Sequence, residues 1–412
     1  MRGKLNPAMQ PIMNQKRRGY LRDFFSRRGY RMVALSDEEQ IWLFRHLART
    51  DEYETDTKYE GLNWEWSFAP IEVQENIRKP TVDIAILEWV KEGKLEQCNP
   101  TQPLWPDGKR FALCLTHDID VLQQFPWRER WRAFVQARQL PPAKRCRAFL
   151  GMLRYLAQFY VPQTQRQDFP LDMWLCAEAE NGFRSTFFFV PDLREVAEPD
   201  IRDCYYRYDD SVIFDGRKSS VGDTVRSIAE RSWDVGLHGS ICSSTSPAQL
   251  RREKASVERA SGAEVISNRQ HYLRFDVRTT PRYLEEAGFR ADSSLGSNID
   301  YGFRAGTGGP FPWYDLEREI TYDLIEIPLV VQDNAIIKAV DGNEDLVVKR
   351  ALEIIDRVAA CSGVVTLLWH NNHTADTVQF RSYERILHEA RLRGAWGCSI
   401  RDLVDWRAGR GG

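Results

Sequence analysis

From Arg110 onward, short apolar runs alternate with stretches of helical periodicity. Phe111-Ala-Leu-Cys-Leu-Thr, Ser185-Thr-Phe-Phe-Phe-Val and Val364-Val-Thr-Leu-Leu-Trp are strand-like runs of apolar, aromatic and β-branched residues, which predicts buried strands. Ser246-Pro-Ala-Gln predicts a helix start: Ser246 caps, Pro247 takes the first helical position, and Gln249 falls three after the cap. Gly262 ends that helix. Thr280-Pro281 opens another, which Gly288 closes. Glu344 to Ala360 carries Leu346, Val347, Ala351, Ile354, Ile355 and Val358 on one side, as a helix packed on a core does. A helix near Ser382 to Arg393 and a strand at Trp396 to Ile400 complete the series. Strand-helix alternation of this kind predicts an α/β fold built on a parallel sheet or barrel.

Residues 1 to about 105 read differently. Arginine and lysine crowd the first fifty positions, Asp37 to Leu47 reads as a helix capped by Ser36 or Asp37, and Asp83 to Glu92 reads as a second. Asn63-Trp-Glu-Trp-Ser lies between them. The Pro- and Gly-bearing segment Asn99 to Gly108 is a loop, and the domain boundary is placed there. The expected organisation is an N-terminal, mostly helical extension over 1–105 and a barrel domain over 106–412, with a helical insertion at about 121–180. Between Val121 and Tyr160 that insertion is basic, with Trp127, Trp131 and Phe134 at helical spacing. It reads either as an amphipathic helix laying its aromatics on the barrel, or as a membrane-surface helix or clamp for an anionic glycan.

Composition narrows the classes. The chain has 412 residues, 42% of them hydrophobic and 28% charged, with a formal net charge of −2. That balance argues against a dedicated nucleic-acid binder. No apolar run approaches the roughly 18 to 20 residues that span a bilayer, and the basic N-terminus lacks the apolar centre of a secretory signal. Eight cysteines occur with no Cys-x-x-Cys pair, so most are expected to be buried thiols in a reducing cytoplasm. The expected location is cytoplasmic, or peripheral to a membrane surface.

The histidines carry the strongest chemical signal. Of seven, His117, His238, His271, His370 and His373 fall at ends of expected strands or in adjacent loops, whereas His46 and His388 sit inside helices. In a parallel barrel the C-terminal strand ends converge on one mouth, where metal ligands and acid-base groups meet. Thr116-His-Asp-Ile-Asp120 follows an apolar run, so Asp118 and Asp120 share one face if the segment is extended. Two carboxylates on one face repel unless a cation or proton neutralises one. One could therefore bind a metal and the other act as a base; the alternative is a loop pair capping backbone amides. His238, in Trp233-Asp-Val-Gly-Leu-His-Gly-Ser, is expected to point inward at a tight turn. Arg269-Gln-His271 sets a cation and an imidazole on alternate residues, and His370 ends the strand from Val364 with Asn371 and Asn372 after it.

Taken in order, these segments resemble the polysaccharide deacetylases with a NodB-homology domain, an uncharacterised bacterial branch in particular. The resemblance covers about 110 to 405. It implies a distorted parallel (β/α) barrel and a divalent metal ion, most readily Zn2+. It also implies hydrolysis of N-acetyl groups on an amino sugar or polysaccharide. Thr-His-Asp-Ile-Asp resembles the family's first motif, which pairs an Asp base with an Asp ligand. Leu237-His238-Gly-Ser resembles the start of its His-x-x-x-His motif, and Arg269 resembles the arginine that orients the base. Asp292 in Gly288-Phe-Arg-Ala-Asp resembles the following strand-end motif, and Leu368-Trp-His370 resembles the last, whose histidine is the acid.

Two departures stand out. Cys242 occupies the position four after His238, and the first motif is Asp-x-Asp, so base and ligand could be exchanged. The reading adopted makes Asp118 the base, Asp120, His238 and His271 the metal ligands, with Cys242 the alternative third ligand. Arg269 orients the base, His370 is the general acid, and Asp292 supports that histidine. The same fold could instead hydrolyse a small non-sugar amide, or bind carbohydrate without catalysis.

Overall fold

A computed structural model describes residues 12–53, 76–99, 101–124, 167–168, 170–197, 199–200 and 203–409. The Asn63-Trp-Glu-Trp-Ser segment and the aromatic, basic part of the insertion, with Trp127, Trp131 and Phe134, lie outside the described residues.

Ten strands form the central sheet. In chain order they are β1 (Phe111–Ile119), β2 (Thr186–Phe189), β3 (Asp234–Gly239), β4 (Ser267–Gln270), β5 (Ala291–Asp292), β6 (Phe311–Asp315), β7 (Ile320–Glu326), β8 (Val331–Gln332), β9 (Val364–Leu368) and β10 (Ala395–Cys398). Their order across the sheet is β6-β7-β5-β4-β3-β2-β1-β9-β8, with β10 also beside β1. Every ladder is parallel except that between β6 and β7. The sheet is curled and mainly parallel, and its C-terminal strand ends open on one side. Among the described residues no ladder joins β8 to β6; the Ile327–Val330 segment crosses the gap. Ile327 N–H donates to Asp292 O at 2.8 Å, Leu329 N–H to Leu295 O at 3.0 Å and Val330 N–H to Thr366 O at 3.2 Å. These bonds tie the segment to β5, to the chain after it and to β9, which satisfies backbone groups that would otherwise be buried unpaired, and the sheet forms a half-barrel.

Buried patterning explains the core. All nine residues of β1 are buried, as expected of a strand covered on both faces. Gly236 is required where β3 passes Phe188, because a Cβ there would lie 2.5 Å from the ring. The helices cover the outside. Pro247–Ser261 is capped by Ser246, whose side chain accepts from Gln249 N–H, and ends on left-handed Gly262. Glu344–Ala360 buries Val347, Ala351, Ile354, Ile355 and Val358, while Leu346 is exposed.

Several expected bounds shift. The helix expected from Ser382 begins at Val378, and the last strand ends at Cys398. A further helix, Ile400–Ala408, follows; its start was legible in Ser399-Ile-Arg-Asp402, whose two side chains form a capping box. The cysteine expectation is corrected too. Cys114, Cys361 and Cys398 are buried, but Cys98 and Cys176 are exposed, and Cys204 and Cys242 are half-buried; none of these seven described cysteines is in a disulfide.

The N-terminal residues share the barrel's apolar core. Helix Gln15–Arg27 brings Tyr20, Phe24 and Phe25 into one buried cluster with Phe44, Trp313 and Tyr314. Each such ring contributes about 2 kcal/mol by leaving water. Tyr20 OH donates to Pro312 O at 2.9 Å. Three buried ion pairs around two carboxylates add specificity: Arg28 bonds Asp83, which also accepts from Thr307, and Glu52 bonds both Arg49 and Arg304. No helix among the described residues is long and apolar enough to cross a membrane.

Candidate functional site

The strand ends β1, β3, β4 and β9, with the loops after them, deliver most of the expected residues to one cavity of about 380 Å³. Asp118, Asp120, His238, His271 and His370 line it, beside Cys204, Tyr272 and the amides of Asn298, Gln332, Asn334 and Asn372. The period-two alternation of β1 does the sorting. Thr116 and Asp118 face Arg269, whereas His117 points to the opposite face.

His117 is accordingly not at the mouth. It is fully buried against Trp174, Phe187 and Tyr383. Its Nδ1–H donates to Trp369 O at 2.8 Å and its Nε2 meets Glu178 Oε1 at 2.7 Å. Three of the five histidines expected at strand ends, His238, His271 and His370, line the cavity, and His373 reaches Asp333 at 3.7 Å.

Asp120, His238 and His271 each offer one ligand atom, all within 4.8 Å of one another. Their tautomers are set from behind. His238 Nδ1–H donates to the carbonyl of Arg269 at 2.9 Å. His271 Nδ1–H donates to Asp203 Oδ1 at 2.7 Å. In both rings this leaves Nε2 to face the cluster, the arrangement by which a second carboxylate or carbonyl orients a ligating imidazole. Asp203 was missed by sequence reasoning. It is buried, and it also accepts from Ile241 N–H and Tyr205 OH.

The donor set fits a divalent cation. Asp120 Oδ1 is buried and makes no hydrogen bond, yet lies 3.3 Å from His238 Nε2. A carboxylate oxygen and a bare imidazole nitrogen are both acceptors, so a proton or metal must sit between them. Two such ligands of a tetrahedral zinc, at its usual bond lengths, stand about 3.4 Å apart. Burial pushes the Asp120 carboxyl up, but the nearby imidazoles of His238, His271 and His370 more than offset it and hold the group well below the usual carboxylate range.

Asp118 is separate from the cluster. Its Oδ1 accepts from Arg269 Nη1 at 3.2 Å, and Oδ2 lies 4.0 Å from His238 Nδ1. Arg269 is fully buried. Nε donates to Ser293 O, Nη2 to Ser293 Oγ, and Nη1 also reaches Thr116 Oγ1 at 2.7 Å.

His370 sits across the cavity, its Nε2 3.9 Å from Asp120 Oδ2. Burial alone would lower its pKa, but the charge and hydrogen bond of Asp333, then Asp120 and Asp118, push it up to about 10. The expectation that Asp292 supports His370 is corrected here. Asp333 Oδ1 meets His370 Nδ1 at 2.7 Å, whereas Asp292 bonds Asn268 Nδ2 at 2.7 Å, Ser294 N–H and Ser294 Oγ. The reason is alternation: β4 turns Arg269 inward, so Asn268 and its ladder partner Asp292 fall on the other face. Asp333 heads the helix after β8, a position with no motif-like spacing to His370.

Of the two expected candidates for third ligand, His271 and not Cys242 is grouped with Asp120 and His238. Cys242 turns to Ser240, its Sγ 3.2 Å from Ser240 Oγ; it precedes a 3-10 turn, Ser243–Thr245, so no helical face carries it alongside His238. His271 opens a turn in which Tyr272 (φ 57°) and Leu273 (φ 53°) are both left-handed, a conformation costing non-glycine residues about 1 kcal/mol or more.

No family model matches the chain, and no curated protein matches it. Solved structures do. A protein from Mycobacterium smegmatis described as a polysaccharide deacetylase aligns at 16% identity and a TM-score of 0.47, over 74% of this chain and 93% of that one. An allantoinase aligns at 12% identity and a TM-score of 0.44, over 76% and 95%. A peptidoglycan deacetylase from Bacillus subtilis aligns at 12% identity and a TM-score of 0.33, over 74% and 95%.

Proposed function

We propose that this chain is a metal-dependent hydrolase that removes N-acetyl groups from an amino sugar or glycan. The observation that carries the reading is the separation of roles around Asp120: its Oδ1 faces His238 at 3.3 Å and its Oδ2 faces His370 at 3.9 Å, while Asp118 stands apart on Arg269.

Asp120, His238 and His271 would hold the ion, and their nitrogen and oxygen donors suit zinc. A divalent ion, when bound, supplies Lewis acidity to an amide carbonyl and acidifies a water. Asp118 has one oxygen committed to Arg269, so Oδ2 is the atom that takes the attacking water's proton. Arg269 is locked by Ser293 and Thr116 and fixes that orientation. His370 carries a proton on Nε2 at neutral pH and gives it to the amine as the carbon–nitrogen bond breaks, releasing acetate. The four side-chain amides of Asn298, Gln332, Asn334 and Asn372 around the cavity suit a hydroxyl-rich substrate.

The test is acetate release by zinc-loaded protein from a panel of N-acetylated sugars and oligosaccharides, with small acyclic N-acetyl amides alongside. Turnover of the sugars that Asp118→Asn abolishes is the expected result. Turnover confined to the acyclic amides overturns the sugar assignment, and no acetate from any substrate overturns the hydrolase reading.

A further inference from the structure

One histidine singled out in the sequence has no part in the hydrolase reading. His117 stands between Thr116 and Asp118 on β1, turned from the cavity and fully buried against Trp174 and Phe187. A carbonyl oxygen only accepts, so the 2.8 Å contact with Trp369 O places a proton on the His117 Nδ1. That carbonyl belongs to the peptide joining Trp369 to His370. The N–H of the same peptide donates to Asp333 Oδ2 at 2.9 Å. Both polar groups of one peptide are therefore held by side chains. The carbonyl is held from the strand that carries the expected base, and the amide by the carboxylate that orients the expected acid.

The ring is also held from its far side. Its Nε2 meets Glu178 Oε1 at 2.7 Å. Glu178 lies on the helix Asp172–Glu180 and is fully buried. It also accepts from Tyr383 OH at 2.9 Å, Ser185 Oγ at 2.8 Å and Trp233 Nε1–H at 2.6 Å. Well-packed apolar side chains could fill this volume without the cost of burying a carboxylate. What the polar network adds is a fixed place for the ring. The residue before it works in the same direction: Thr116 Oγ1 donates to Leu367 O at 2.7 Å, and Trp369 N–H donates to Thr116 O at 3.1 Å. Side chains thus tie β1 to β9 beyond their shared ladder.

We propose that His117 is a positioning residue: with Glu178 behind it, it fixes the Trp369–His370 peptide, and so the imidazole of the acid, relative to Asp118. The inference rests on the hydrolase reading above. His117 itself touches neither the ion's ligands nor the cavity; it acts through the backbone of the residue before the acid. A misplacement of about 1 Å in a catalytic group costs up to about 100-fold in rate, so a bond that holds the acid's peptide is felt in turnover.

The test compares two variants of the full chain. Asparagine sets its amide nitrogen where Nδ1 stands, and glutamine sets its own where Nε2 stands. His117→Asn therefore keeps the bond to Trp369 O and gives up Glu178, and His117→Gln does the reverse. Zinc-loaded proteins are assayed for acetate release from an N-acetylated oligosaccharide and from p-nitrophenyl acetate, whose leaving group needs no proton. His117→Gln is expected to lose about 10- to 100-fold in kcat on the amide, with KM and zinc content unchanged and a much smaller loss on the ester. His117→Asn is expected to recover most of the amide rate. Equal amide rates in the two variants, or equal losses on amide and ester, overturn the proposal and leave the ring a packing element. If either variant fails to fold by circular dichroism, His117→Phe, which keeps a ring and removes both bonds, decides by the same amide-to-ester comparison. Failure of all three to fold overturns the proposal as well. No acetate from wild type on any substrate is a failure of the hydrolase reading, and of this one with it.

Discussion

Asp333 holds His370 by two bonds at once: Oδ1 meets the ring Nδ1 at 2.7 Å, and Oδ2 accepts the His370 main-chain N–H at 2.9 Å. One carboxylate therefore fixes both the backbone position and the ring orientation of the expected acid, and leaves Nε2 facing Asp120. The pair also sets the charge state. Burial pushes the Asp333 carboxyl up, but the charge and hydrogen bond of His370 prevail and hold it well below the usual carboxylate range.

Removing that carboxylate should move the alkaline limb of the rate profile. His370 is raised to about 10, so its proton is present below that value and lost as pH rises through it. Asp333→Asn removes the largest raising influence, so the limb should shift to lower pH. Loss should be greater on amides, whose amine must be protonated, than on activated esters. A pH profile of Asp333→Asn unchanged in its alkaline limb would show that His370 does not act as the acid.

Base and ligand should separate under substitution. Asp118→Asn should keep the metal and lose about 10²- to 10⁴-fold in turnover, because an amide cannot take the water's proton. Asp120→Ala and His238→Ala should lose the ion while staying folded. Metal analysis of the purified proteins checks this; full occupancy in both ligand variants would sink the assignment.

His271 should matter to the metal and Cys242 should not. His271→Ala is expected to weaken metal binding by at least about tenfold. Asp203→Asn, which disturbs the hydrogen bond that orients the ring, should weaken it by about tenfold. Cys242→Ser should change it little. Competitive titration with a chromophoric chelator gives the three affinities.

A stability prediction concerns the extension. Burial pushes Glu52 up, but the charges and hydrogen bonds of Arg304 and Arg49 lower it from its ordinary 4.5 to about 2. Its stabilisation is therefore present above about pH 4.5 and lost as pH falls through about 2. The shift corresponds to about 3 kcal/mol. Glu52→Gln, which leaves two buried guanidinium groups without their carboxylate, should destabilise by a similar amount at pH 7. The gap between variant and wild type should narrow toward pH 2 in denaturant unfolding; a pH-independent gap would mean that packing, rather than charge, accounts for the loss.

The sequence by itself determined the strand-helix alternation and the bounds of several elements, because periodicity and caps are local. Ser246 with Gln249, Gly262, and the Val347–Val358 stripe were all legible, although Leu346, read as part of that stripe, is exposed. So was the pairing of Asp118 and Asp120 on one face, since a strand alternates whatever surrounds it. What it could not determine was which face looks inward at each strand, or what arrives from far along the chain. Asp292 stands at a strand end, but register with Asn268 turns it away from the cavity. His117 is one residue from Asp118 and on the opposite face. Asp333 and Asp203 reach the site from separate segments, and their partners lie 37 and 68 residues away. No local pattern encodes such distances. The curl of a parallel sheet does, by bringing the C-terminal ends of separated strands to one mouth, and that is a property only the tertiary structure decides.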